Sequence, residues 1–468
     1  MRSRTPEEPP SSESPPSFPR KRESSDLQYA EATTLDDQRV ALLNSASRFR
    51  GNDPQGHKTA RMRLGEITDS CLGKMLDKEK NRGIYQPYLA NINVRWGGFE
   101  LSSLNEMRFE SNEEDRYGLK FGDLVVCEGG EPGRCAIWRE ERESMKFQKA
   151  LHRLRVKDGY STEFLFYRML LAARTGELAN HFIGSTIKHL TGIGLAQVEF
   201  EFPELAEQQE IAAVLSALDA KIDLNHRINA ELEALAKTIY DYWFVQFDFP
   251  DAHGRPYKSS GGAMVWHDTL KREIPAGWDG DDISAVANVL GGATPSKLRS
   301  DYWGGDIPFF TPTDACGNIF QLQTENSITQ AGLKNCNSDL FGKGTVFITA
   351  RGSVGKIAVA GRPMAMNQSC YALAPRVAEH YPYVFLHAKT LIHHLKVKAS
   401  GSTFNSIVTN DIEWTQLISP KSDLISAFCK IVAPMFERIE VAQCENRELT
   451  QLRDWLLPLL MNGQVRVA

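Results

Sequence analysis

No stretch of 18 consecutive apolar residues occurs in this 468-residue chain, so it offers no segment able to cross a bilayer as a helix. The opening MRSRTPEEPPSSESPP lacks the apolar centre of a secretory signal. None of the eight cysteines forms a C-x-x-C pair; they read as free thiols of a reducing cytoplasm, which is the expected location. A large positive excess is also missing. Fifty-four Lys and Arg against 59 Asp and Glu leave a net charge of −5, which excludes a polybasic DNA-coating protein. A site-specific nucleic-acid binder needs only local positive charge and stays open.

Catalytic signatures are equally scarce. The nearest approach to a phosphate-binding P-loop, GSVGK at 352–356, has Ala350 in place of the first glycine and Ile357 after the lysine. No adenine-methyltransferase N-P-P-[FY] pocket, H-E-x-x-H, paired C-x-x-C or EF-hand loop is present, so no metal site is indicated. His393 and His394 read as surface histidines of a helix. No acidic nuclease cluster stands out. The expectation is a chain that carries no catalytic residues, no metal and no cofactor of its own.

What the sequence does contain is a repeat. Residues 1–62, rich in Pro, Ser and charge, cannot bury enough apolar surface to order and are expected to be a disordered tail or a mis-assigned start. Beyond them, a constant shift of 217 pairs Gly184, Ser185 and Thr186 with Gly401, Ser402 and Thr403. It also pairs Pro203 with Pro420, Ile222 with Ile439, Asn229 with Asn446 and Leu232 with Leu449. Upstream, a shift of 222 pairs Gly122, Gly130, Gly133 and Arg134 with Gly344, Gly352, Gly355 and Lys356. Gln148 matches Gln368, and Gly73 matches Gly292, at shifts of 220 and 219. Drifting shifts followed by a constant one describe a variable globular unit and then a rigid element, occurring twice.

The rigid element reads as a long helix. Spacing of 4-3-4-3 selects Ile211, Leu215, Leu218, Ile222, Asn225, Asn229, Leu232, Ala236, Ile239 and Trp243. Its repeat is Phe428, Val432, Met435, Ile439, Ala442, Asn446, Leu449, Arg453, Leu456 and Leu460. This is a coiled-coil-like seam in which Asn229 and Asn446 set register. About 40 residues at about 1.5 Å each reach about 60 Å, so two such helices most simply pack on each other. The alternative is an amphipathic helix lying on its own domain. Between Pro203 and Phe249 three basic residues face nine acidic ones, so the first helix carries the chain's acidity and leaves the globular units able to face phosphate.

The expected architecture is α+β: two globular α/β domains separated by two long helices packed on each other as a coiled coil. The boundaries are a first recognition domain at 63–202, a central helix at 203–249 and a linker at 250–277. A second recognition domain at 278–420 and a terminal helix at 421–468 follow. VVCEGG and TVFITARG read as strands, FLFYRMLLAA and YVFLHAKTLI as helices. Candidate DNA contacts in the first domain are Arg95, Arg134, Lys146, Lys149, Arg153, Thr186, Lys188 and His189. In the second they are Lys297, Arg299, Arg351, Lys356, Asn367, Gln368, Thr403 and Asn405. Arg and Lys can grip phosphate or guanine edges, and Asn or Gln can pair with adenine. Tyr302 and Trp303 read as core.

These residues carry a resemblance. GGATPSK…DYWGGDIPFFTPTD (291–314), TARGSVGKIAVA (349–360), NQSCYAL (367–373) and GSTFNSI (401–407) resemble one half of the specificity subunit of type I restriction–modification enzymes. The segment 202–250 is similar to that family's central helical region, and 438–465 to its closing counterpart, which implies that the two long helices pack as an antiparallel coiled coil. The resemblance implies a subunit without chemistry of its own, whose two target-recognition domains each read one half of a split, asymmetric sequence in double-stranded DNA. It implies as partners two methyltransferase subunits using S-adenosylmethionine, and two restriction/translocase subunits using ATP and Mg2+; those cofactors are expected on the partners. GIYQPYLANINVRWGG (83–98) departs from the YW-G-G-IP string of the second half, so the two domains should read different half-sites. A stand-alone nuclease or methyltransferase, and a two-headed protein adaptor, are the competing classes.

Overall fold

A computed structural model describes residues 59–77, 81–398 and 406–467; the tail through residue 58 lies outside the described residues. The chain divides into two compact units, one comprising Met1–Val214 with Leu456–Ala468 and the other Leu215–Trp455.

In the first unit, β1 (Ala60–Arg63), β2 (Thr68–Leu72), β3 (Leu124–Cys127), β4 (Cys135–Ile137) and β5 (Leu151–Val156) precede α1 (Thr162–Thr175) and β6 (Glu199–Phe202). β2, β5, β3 and β4 lie side by side in that order as an antiparallel sheet, with His152 opposite both Leu72 and Val126. The four residues of β3 are fully buried, as an all-apolar strand in the middle of a covered sheet should be. α1 packs against β4. Ser161 starts the helix by accepting the Phe164 amide, and Gly176, at φ 77°, ends it. β1 pairs antiparallel with β6, Met62 opposite Phe200. Residues 60–62 therefore belong to the folded domain and not to the tail. A composition average cannot see a four-residue strand whose partner lies about 140 positions away.

The second unit repeats the plan. It contains α2 (Leu205–Tyr240) from Leu215 onward, then β7 (Met264–His267) and β8 (Arg272–Pro275), β9 (Asp279–Asp281), β10 (Ala287–Gly291) and β11 (Phe320–Gln321). These are followed by β12 (Val346–Thr349), β13 (Ile357–Ala360), β14 (Cys370–Pro375), α3 (Tyr381–Lys398), β15 (Leu417–Ser419) and α4 (Ser422–Met461). Its sheet runs β10, β14, β12, β13, with β11 added parallel at the edge. A smaller three-stranded sheet accompanies each: Asn105–Phe109, Ile84–Leu89 and Lys146–Phe147 in the first unit, Asn326–Ile328, Trp303–Phe310 and Ala365–Met366 in the second. The last pairing is parallel in both.

The stretch 250–277, expected as a linker, is folded. β7 and β8 form a hairpin. Phe249 stacks on Tyr257 at 4.7 Å and on Trp278 at 5.1 Å. The hairpin's mostly exposed side chains leave little hydrophobic pattern to read.

Contacts between the long helices within the second unit run in opposite directions. Asp219 meets Arg453, Asn225 meets Asn446, and Tyr240 and Trp243 meet Phe428. Leu215, Asn225, Ala236 and Trp243 are buried on α2 and the segment after it; Leu218, Ile222, Asn229, Leu232 and Ile239 are half-buried. On α4, Phe428, Val432, Ile439, Ala442 and Asn446 are buried, and Met435, Leu449 and Arg453 half-buried. In the first unit Ile211 and Leu460 are buried and Leu456 half-buried. α4 makes contacts of both expected kinds, whereas α2 within this unit meets α4 and the second domain and not the domain that precedes it. Phe436 of α4 packs on Tyr381, Phe385 and Phe320, and Tyr240 of α2 on Tyr383. There α4 lies on its own domain and α2 on the domain that follows it, and at Asn225 the two helices lie on each other.

No helix among the described residues is long and apolar enough to cross a membrane.

Candidate nucleic-acid interface

The β3–β4 turn and its repeat, the β12–β13 turn, are built by the same hydrogen bonds. The Cys127 amide donates to the Arg134 carbonyl at 2.8 Å, and Thr349 to Lys356 at 2.9 Å. Gly133 donates to Cys127 at 3.0 Å, and Gly355 to Thr349 at 2.8 Å. Gly130 and Gly352 hold φ of 74° and 78°, the left-handed region that glycine enters without cost. The turns are anchored alike. Glu128 donates to Ala150 and Leu190 to Glu128 in the first unit; Ala350 donates to Ser369 and Ile407 to Ala350 in the second. The repeat thus extends to individual backbone bonds. It gathers a turn, the segment after the repeated glutamine and the segment after the Gly-Ser-Thr string onto one surface of each unit.

In the first unit Asn91 ties a further loop to this turn. Its amide donates to the Gly129 carbonyl at 2.7 Å and its carbonyl accepts Arg134 at 3.0 Å. Arg134 also pairs with Glu131 at 2.9 Å, and the Trp96 indole donates to the same carboxylate at 2.6 Å. Arg95 is exposed, with its guanidinium on the Ile92 and Val94 carbonyls at 2.6 and 3.0 Å. Thr186 and Lys188 are exposed in a loop closed by reciprocal bonds between Ile183 and His189 at 2.9 Å. The half-buried His189 lies against Gly129, its Nδ1 3.9 Å from Glu128. Glu128 also approaches the buried His152 at 3.5 Å, whose pKa burial pushes down.

Lys149 is exposed on the rim of a cleft of about 530 Å³ that it shares with Lys74, Arg82, Arg116 and Tyr117. Lys74 is only 2% exposed; it pairs with Glu113 at 2.5 Å and lies 5.0 Å over Phe109.

Two expected contacts are interior. Lys146 is fully buried, bound to Glu114 at 2.7 Å and to the Ser144 carbonyl at 3.0 Å. Arg153, 6% exposed, donates to the Asp115 and Arg116 carbonyls at 3.3 and 2.9 Å, and burial lowers its pKa. Both stand on strands and point inward, where they fasten the 114–117 turn. A one-residue change of phase would have turned them outward, and isolated basic residues do not reveal that phase.

In the second unit Lys297 and Arg299 are exposed. Arg299 binds Asp301 through two bonds of 2.8 Å and lies 4.9 Å over Tyr302. Tyr302 and Trp303 are half-buried, Trp303 edge-on to Phe309 at 5.4 Å. Gln368 is exposed and hydrogen-bonded to Thr294; Asn367 is half-buried and accepts the Ser369 amide at 3.0 Å. The exposed Arg351 donates its amide to Ser369 at 3.2 Å. The loops carrying Lys297, Arg351 and Gln368 are therefore joined. Lys356 instead lines a cleft of about 540 Å³ with Lys389, His393 and Lys396 of α3; His393 and His394 are exposed on that helix. Thr403 and Asn405 lie outside the described residues.

Sequence reasoning missed Asn91, Lys74 and Glu128. A lone Asn, Lys or Glu in a loop carries no pattern, although Lys74 directly follows the repeated Gly73. Among the described residues, no three His, Cys, Asp or Glu side chains cluster as metal ligands. Burial raises the Cys127 thiol to about 11 and the Cys370 and Cys429 thiols to about 12, so these are core side chains and poor nucleophiles.

A family model described as the type I restriction modification DNA specificity domain matches residues 58–234 and 275–430. The type I restriction enzyme HindI specificity subunit of Haemophilus influenzae is 24% identical over 349 residues, covering 64% of this chain and 74% of that protein. The MjaIX specificity subunit of Methanocaldococcus jannaschii is 27% identical over 315 residues, covering 66% and 71%. A crystal structure of a type I restriction–modification S subunit from M. genitalium shares the fold, with a TM-score of 0.54 and 18% identity over 87% of this chain and 96% of that one. Two family domains in one chain, each built around the same anchored turn, make this protein a member of the type I restriction–modification specificity-subunit family.

Proposed function

We propose that the chain reads a split, asymmetric sequence in duplex DNA, one half with each recognition domain, and carries the catalytic subunits that act there. The observation that supports this most is the backbone-level repeat of the anchored turn beneath side chains that differ at equivalent positions: Gly129 and Lys149 in one unit, Arg351 and Ser369 in the other. Equal scaffolds with unequal surfaces suit two different half-sites. Phosphate contacts position such a surface, and contacts to base edges give it sequence preference.

In this reading 63–202 and 278–420 are the recognition domains, the first beginning three residues earlier at Ala60. The long helices form an antiparallel coiled coil that sets the gap between half-sites. Two methyltransferase subunits bind this helical region and two restriction/translocase subunits complete the assembly in the cytoplasm. S-adenosylmethionine, ATP and Mg2+ reside on those partners. This chain supplies address and attachment, while the partners supply the chemistry.

Mapping methylated adenines across a host genome with and without this gene tests the proposal. A two-part motif with a constant gap should vanish when the gene is removed. An unchanged methylation map, or methyl transfer by the purified chain alone, overturns it.

A further inference from the structure

Leu298 is 96% exposed, at the tip of a segment that is otherwise tightly held. Thr294 is hydrogen-bonded to Gln368 at the segment's start. The Trp303 indole at its end donates to the Ser296 carbonyl at 3.1 Å. The Arg299 amide donates to Ser296 at 3.3 Å, and Tyr302 to Arg299 at 3.1 Å. Thr329 holds the base, its hydroxyl on the Asp301 carbonyl at 2.8 Å and its amide on the Tyr302 carbonyl at 2.9 Å. The Arg299 guanidinium is locked between Asp301 and the face of Tyr302.

A single exposed leucine ordinarily signifies nothing. This one differs in two respects. The bonds around it fix the backbone on either side, and its side chain stands away from its own domain. It also stands between Lys297 and Arg299, in the loop that is bonded to Gln368 on the candidate interface.

We propose that Leu298 is an apolar wedge that enters the base stack of the bound duplex and unstacks one step of the half-site read by the second domain. Apolar side chains flanked by cations act on DNA in this way, and the energy required depends on the step being opened. Pyrimidine–purine steps open most cheaply, so Leu298 selects for a TA or CA/TG step without bonding to either base. At the shift pairing Gly73 with Gly292, the first half carries Glu79 at the corresponding place. A carboxylate cannot enter a base stack lined by phosphates, so only one half-site is wedged. The inference rests on the reading of the second unit as a DNA-recognition domain.

The test uses the full chain with its methyltransferase partners, on duplexes bearing the mapped motif. 2-Aminopurine is placed in turn at each position of the second half-site other than the methylated adenine, which a methyltransferase unstacks by itself. The wild-type complex should show a fluorescence rise at one step. Leu298→Ala should abolish the rise and weaken binding roughly ten-fold, while Leu298→Met retains both; a side chain this exposed can be truncated without loss of fold. Tight binding with no rise at any position, or identical rise and affinity in Leu298→Ala, overturns the wedge alone. A wild-type complex that does not bind the duplex overturns the DNA-recognition reading, and the wedge with it.

Discussion

Asn225 Nδ2 lies 2.8 Å from Asn446 Oδ1, yet the internal repeat makes neither residue the equivalent of the other. Asn446 matches Asn229, and Asn225 matches Ala442. Two equivalent helices packed antiparallel should make each cross-contact twice. This one is made once, because at its second occurrence a methyl group stands where a donor is needed, and Asn229 Oδ1 is buried without a partner. The bond of 2.6 Å between Asp219 and Arg453 follows the same rule. Its repeat counterparts, Phe436 and Ala236, are fully buried and apolar. An ionic contact toward one end and an apolar cluster toward the other give a duplicated chain one register and one polarity.

Asn225→Ala should therefore destabilise the second unit by about 1–3 kcal/mol, because it leaves Asn446 Oδ1 buried without its donor. Ala442→Asn supplies the missing mate for Asn229 and should stabilise by about 1 kcal/mol. Urea midpoints of the full chain measure both. Equal and small effects would mean that the asparagines are solvated and do not set register.

These examples also show what a sequence can convey. The repeat, the strands at 124–127 and 346–349 and both long helices were legible, because each depends on apolar spacing or on glycines that a turn requires. The phase of Lys146 and Arg153 was not legible, since a basic residue on a strand looks the same whether it faces water or Glu114. Nor was the true partner of Asn446. Heptad spacing identifies which residues lie on a seam, but the pairing across an antiparallel seam depends on axial offset, which no local pattern encodes. The folded segment 250–277 was missed because its core contribution comes from Phe249, Tyr257 and Trp278, which lie far apart in sequence around an exposed hairpin.

Stability should fall in acid through His387. This imidazole is fully buried on α3, 2.8 Å from the Tyr240 hydroxyl of α2, and burial holds its pKa at about 3 against an ordinary 6.5. The unfolded chain takes up this proton first as pH falls. The contribution is therefore complete above about pH 6.5 and is lost progressively toward pH 3, at up to about 1.4 kcal/mol per pH unit. Urea midpoints at pH 7 and pH 5 should differ more in the wild type than in His387→Asn. Equal differences would show that the imidazole titrates freely in the folded protein.

The paired glycines that follow β2 and β10 should not tolerate a methyl group, because backbone fills the space it would need. A Cβ on Gly73 would lie 2.3 Å from the Gln148 carbonyl oxygen, and one on Gly292 2.4 Å from that of Met366. Neither neighbour is a flexible side chain. Gly73→Ala and Gly292→Ala should each cost about 1–3 kcal/mol by overpacking. Gly291→Ala, with nothing within 4 Å of its Cβ, is the control and should change stability by less than about 0.5 kcal/mol. Thermal melts of the three variants separate close approach from the general effect of replacing glycine in a strand.

Shortening the paired helices tests whether they set the gap in the recognised site. Deleting 226–229 alone would move Asn225 out of step with the rest of α2, and the seam on α4 would no longer match. The deletion must be made in both helices. Removing 226–229 together with 442–445 keeps Asn225 and Asn446 adjacent and discards the unpartnered Asn229. It also removes Glu445, which bonds Asn225 at 2.8 Å and Lys221 at 3.3 Å, so Lys221→Ala in the intact chain measures that loss separately. Four helical residues span about 6 Å, and a base pair rises about 3.4 Å. Genome-wide methylation by the doubly shortened subunit should keep both half-sites and reduce the gap between them by one or two base pairs. An unchanged gap would show that spacing is set inside the recognition domains and that the helices serve only as attachment.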